Sequence, residues 1–60
     1  MGIFKNAVRQ NAADEASTAT ALRDKATEHE QAGNHRQATV YHNAAVKADG
    51  RADLWRDLLT

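Results

Sequence analysis

The 60-residue chain has no cysteine and no proline, only three glycines, and only three aromatic residues, Phe4, Tyr41 and Trp55. Each shortage excludes something. Without Cys there is no disulfide and no thiol redox chemistry, so a scaffold this small must draw its stability from metal or from association. Without Pro, nothing interrupts a helix from within. No apolar run approaches the ~20 residues of a membrane span, and the N-terminus lacks the apolar stretch and cleavage site of a signal peptide. Eight basic and eight acidic residues cancel and are interspersed, which leaves no basic patch of the kind nucleic-acid binders carry. A cytoplasmic protein without a cofactor is the expectation, and the opening Met1 fits a complete small protein.

What the chain does have is alanine. Thirteen of its 60 residues are Ala, the strongest helix former, and β-branched residues nowhere alternate with polar ones, so no strand is predicted. The large apolar side chains are few: Ile3, Phe4, Val8, Leu22, Val40, Tyr41, Val46, Leu54, Trp55, Leu58 and Leu59, with Met1. Burying a Leu or Phe contributes roughly 1.5–3 kcal/mol and Ala far less. A 60-residue monomer built on this set is marginal, which favours association with a partner over a solitary fold.

Two glycines punctuate the pattern. Gly33 suits the left-handed residue just past a helix end, and Asn34 with Gln37 reads as a variant capping box opening the next helix. Asp49-Gly50 reads as a second stop, after which Asp53 falls in the first turn of a further helix. Phe4, Val8, Ala12, Ala16 (or Glu15), Ala19, Leu22, Ala26 and His29 recur at three-to-four spacing, one helical stripe. Its weakest part is Ser17-Thr18-Ala19-Thr20, because Ser and Thr compete for backbone hydrogen bonds. The prediction is an all-α single domain over residues 1–60. A long helix covers about 3–32, an antiparallel helix about 35–48, and a short capping helix about 51–59. The hairpin proper occupies 17–50, residues 1–16 form a helical extension, and 51–60 form the cap. A two-residue break forces antiparallel neighbours. A second helix of about 14 residues, roughly 21 Å, covers only half of the first. Residues 3–10 are then expected to project with Ile3, Phe4 and Val8 exposed; the alternative is a closed three-helix bundle.

The segment AGNHRQATVYHNAAVKAD, with the helix before it, resembles a tetratricopeptide repeat (TPR), a helix–turn–helix unit of about 34 residues. The resemblance covers Ala19 to Gly50. Gly33 and Asn34 match the turn; Ala26, Ala38 and Ala45 match small positions where the helices touch; Leu22, Tyr41 and Val46 match large apolar positions, and Asp49 the residue before the repeat's end. Lys25, Thr39 and Gly50 depart from the pattern. A weaker resemblance is to three-helix domains of the microtubule-interacting-and-transport (MIT) type. The TPR likeness implies a hairpin packed through Leu22, Ala26, Ala38, Tyr41 and Ala45, and a role in protein–protein interaction. It also puts His29, His35 and His42 at aromatic positions, where packing is the default role. Independently of the likeness, Ala38, Tyr41, Ala45 and Ala48 form a seam at i, i+3, i+7 and i+10.

The histidines are the only candidates for chemistry. His35 and His42 share a face two turns apart, roughly 10 Å, too far for one ion, whose ligands converge at about 2 Å. A pH-sensitive hairpin, loosened when His29, His35 or His42 is protonated, is the alternative to simple packing. Glu28 and Glu30 point to different faces and form no acid–base pair. No Ser–His–Asp arrangement or phosphate loop occurs, so neither catalysis nor a metal site is expected. Leu54, Trp55, Leu58 and Leu59 form a compact stripe at i, i+1, i+4 and i+5. With Ile3, Phe4 and Val8 they make the predicted self-association surface, Trp being enriched at interface hot spots. The rival function is a small DNA-binding helix-turn-helix presenting Arg36, Asn43 and Lys47, too few cations for strong phosphate contact. A third is membrane-surface binding through Ile3-Phe4-Lys5, which lacks a basic face.

Overall fold

A computed structural model describes residues 2–59. It contains two α-helices, α1 (Gly2–Gln31) and α2 (His35–Asp57), and no strand among the described residues. The helices pack antiparallel into a rod of 48 × 13 × 11 Å. The long dimension is that of α1 itself, whose 30 residues span about 45 Å at ~1.5 Å each.

The turn forms as its glycine dictates. Gly33 has φ +82°. The Gly33 N–H donates to the carbonyl of Glu30 at 3.1 Å, and the Asn34 N–H to that of His29 at 2.7 Å. This pair of bonds is the Schellman motif, which satisfies carbonyls left over at the end of α1. Asn34 is the N-cap of α2, but its side chain makes no cap hydrogen bond, so the predicted box with Gln37 does not form. Its amide instead lies 3.4 Å from His29 Nδ1.

The predicted stop at Gly50 is absent. α2 runs unbroken to Asp57, and the expected third helix is its continuation. Gly50 is exposed and does not take the left-handed conformation that Gly33 takes. Gly in a helix interior costs only ~0.8–1 kcal/mol against Ala. Breaking there would pull Ala52, 1% exposed, and half-buried Trp55 off α1. Asp53 accordingly sits inside α2, paired with Arg56 at 3.2 Å. The Ser/Thr stretch of α1 stays helical for a related reason. The hydroxyls of Thr18 and Thr20 donate to the carbonyls of Asp14 and Ala16, four residues back, and so stay within the helix.

Most packed positions follow an alternation of four and three, with half-buried Ala16, Ala44 and Asp49 flanking it. In α1 the alternating positions are Val8, Ala12, Glu15, Ala19, Leu22, Ala26 and His29; in α2 they are Ala38, Tyr41, Ala45, Ala48, Ala52 and Trp55, followed by Leu59 in the turn just past its end, all buried or half-buried. That is the heptad seam of a two-stranded coiled coil. The hairpin-packing residues Leu22, Ala26, Ala38, Tyr41 and Ala45 all lie on it. The fully buried set is Val8 with six alanines: Ala12, Ala19, Ala38, Ala45, Ala48 and Ala52. Small side chains at the contact bring helix axes toward the short end of the usual 8–10 Å.

Register is set by two ion pairs across the seam, Glu15–Arg51 at 3.0 Å and Arg23–Asp49 at 2.5 Å, and by His29 stacked on Tyr41 with centroids 5.3 Å apart. Trp55, Leu22 and Tyr41 are half-buried among the seam alanines. Ala19 and Ala48, both 0% exposed, are the most deeply buried positions of the seam.

Candidate interaction surface

Because α2 is 23 residues long, not about 14, it covers more of α1 than its sequence suggests. Val8 comes level with Leu59 and is 1% exposed. It belongs to the core and not to a projecting surface, which corrects its predicted place in the self-association set. The projection shrinks to the first turn and a half of α1, residues 2–7, which have no described residue of α2 opposite them. Ile3 and Phe4 lie there, 87% and 61% exposed.

On α2 at the same end, Leu54 and Leu58 are 67% and 58% exposed, while Trp55 and Leu59 are half-buried against α1. Leu54, Trp55 and Leu58 with Arg51 line an open groove of about 420 Å³. The spacing i, i+3, i+4, i+7 lays these four along one side of α2. Arg51 reaches from the groove rim to Glu15, so its charge is already answered within the chain. The predicted surface therefore divides in two: a knob, Ile3 and Phe4, and a groove, Leu54, Trp55 and Leu58, with Leu59 closing the seam behind them.

Two further apolar residues are exposed, Val40 and Val46, each 56%; the TPR likeness puts Val46 at a large apolar position, whereas Val40 was not singled out from the sequence. The signal of their exposure was position, since both fall off the seam spacing. The cross-helix ion pairs were missed as well; their signal was charge at places flanking the alanine stripe.

Near the turn, Ala26, Thr27, Glu30, Ala38, Thr39 and His42 line a second open depression of about 290 Å³. The three histidines surround this end without converging. His29 is half-buried on Tyr41, His35 Nδ1 meets Glu30 Oε1 at 2.5 Å, and His42 is exposed. Among the described residues no three His, Asp or Glu side chains are grouped to hold a metal ion, and no polar or charged side chain is buried. The Arg23 guanidinium is held still more firmly protonated than usual, first by its hydrogen bond to Asp49 and then by the charge of that carboxylate. Its place in a cross-helix ion pair makes this a structural effect. No helix among the described residues is long and apolar enough to cross a membrane.

No family model, curated protein or solved structure matches the chain.

Proposed function

We infer that the chain is a non-catalytic protein–protein interaction module whose first partner is itself. One observation carries this: several of the few large apolar side chains are left out of the core. Alanine fills the seam, while Ile3, Phe4, Leu54 and Leu58 stand exposed together at one end of the rod. Monomeric proteins seldom leave several large apolar side chains exposed at one end without a partner, and Trp55 beside them is a typical interface anchor. The TPR-like view of the hairpin fits the same role. The Gly33-Asn34 turn and the small residues Ala26, Ala38 and Ala45 in the seam support that likeness, while the unbroken α2 beyond Gly50 departs from a single repeat.

A helix-turn-helix would cross its two helices at about 90–120°, whereas α1 and α2 lie along one another. Light scattering on the full chain from 10 to 500 µM tests the reading. A mass rising with concentration toward a defined multiple is the expected result; a strict monomer throughout, with a cooperative melt, would refute self-association.

A further inference from the structure

We propose that two copies of this chain pair end to end about a two-fold axis, the knob of each seating in the groove of the other. The proposal rests on the self-association reading and says how it is achieved. Ile3 and Phe4 on the projecting turns of α1 would lie against Leu54, Trp55 and Leu58 on α2 of the second copy, and the reverse.

The first argument is that knob and groove cannot satisfy each other within one chain. Register places Val8 level with Leu59, so Phe4 lies about 6 Å further along the rod, past every described residue of α2. The groove is lined by Arg51, Leu54 and Trp55 of α2 and its C-cap Leu58, with no residue of α1. Phe4 keeps 61% of its surface and Leu54 67%. A two-fold pairing joins both halves at once, because an isologous interface lets residue i meet j while j meets i.

The second argument is area. The chain exposes 4461 Å², whereas a compact monomer of 6.6 kDa exposes about 3,900 Å². The excess of about 600 Å² is the surface that the elongated shape leaves in water, and pairing recovers part of it. A rod gains most by covering its apolar end, and among the described residues Ile3, Phe4, Leu54 and Leu58 stand exposed at one end.

Charge decides between a second copy and an anionic lipid surface. Lys5, Arg9, Arg51 and Arg56 stand at this end, and a lipid surface would want them free. Arg51 is taken by Glu15 and Arg56 by Asp53. Arg9 lies 3.4 Å from Asn6 Oδ1 in a local contact on α1. Both cations beside the groove on the second helix, Arg51 and Arg56, are thereby answered within the chain, as an apolar contact between copies requires, while Lys5 and Arg9 keep their charge on α1.

The test is a charge exchange on the exposed residues. Phe4→Glu and Leu54→Lys are made separately in the full chain, with circular dichroism to confirm that each stays helical. Their exposure predicts that it does. In either homodimer both contacts pair a charge with an apolar group, so each variant alone should dimerise at least about 100-fold more weakly than wild type by sedimentation equilibrium. Mixed one to one, they form a heterodimer with one Glu–Lys contact and one native contact, and dimerisation should return. Wild-type dimers with both variants unaffected would overturn the seating while leaving self-association standing. Two variants that each fail and do not rescue one another would also overturn it. A wild-type chain that stays monomeric but binds vesicles containing phosphatidylserine would overturn both and assign the end to lipid.

Discussion

Gly50 and Gly33 make opposite predictions for the same substitution. Gly50 lies inside α2, exposed, without a positive φ, and a Cβ built on it meets nothing within 4 Å. Gly50→Ala should therefore recover the helix-interior difference between the two residues, about 0.8–1 kcal/mol of added stability. Gly33 has φ +82° with equally open space around a new Cβ. There Ala gains no room problem but meets the steric cost of the left-handed region, about 1–2 kcal/mol. A chain of this length shifts its melting temperature by about 4–8 °C per kcal/mol, so the two variants should separate by roughly 10 °C or more. Thermal melts followed by circular dichroism at 222 nm, at one fixed protein concentration, read both. Gly50→Ala melting below wild type would refute the continuous α2. It would restore the helix stop that the Asp49-Gly50 pair suggests in isolation.

Two more substitutions probe the seam. Val8→Ala removes two methyl groups from the largest fully buried side chain and should cost about 2 kcal/mol in urea unfolding, transfer and cavity combined. Phe4→Ala, measured at a concentration where the chain is monomeric, should cost under about 0.5 kcal/mol as an exposed change; equal effects would return Val8 to the surface. Ala48→Leu forces a large side chain into a seam position that is 0% exposed and should destabilise by about 1–3 kcal/mol; a neutral result would show that the helices are not in close contact there.

Much of the hairpin could be read from residue types alone. Gly33 marks the turn, and the stripe from Val8 to His29 marks α1, because both rest on local rules: left-handed tolerance and helical periodicity. The seam residues Ala26, Ala38, Tyr41 and Ala45 followed from small groups at three-to-four spacing. What failed did so where tertiary packing overrode a local preference. Gly50 is a helix stop by itself, but it sits between Ala48 and Ala52, both fully packed, and between Asp49 and Arg51, both paired across to α1. That single error shortened α2, and the shortened α2 moved Val8 from the core to the surface. Asn34 failed differently, since its amide lies beside the His29 ring and not on the backbone of α2. The apolar end itself was legible, although its division into knob and groove was not, because that depends on where α2 ends relative to α1.

The single turn at Gly33 also orders the rod in time. Contacts across the seam join residues ever more distant in the chain. His29 meets Tyr41 close to the turn, Arg23 and Asp49 are 26 residues apart, and Glu15 and Arg51 are 36 apart. The entropy of closing a loop grows with the logarithm of its length, so each layer forms most cheaply once the layer nearer the turn is in place. The hairpin closes like a zip from Gly33 outward and loosens from the opposite end. The end that loosens first bears Ile3, Phe4, Leu54 and Leu58, so anything that grips those residues clamps the zip shut at the point where it would begin to open.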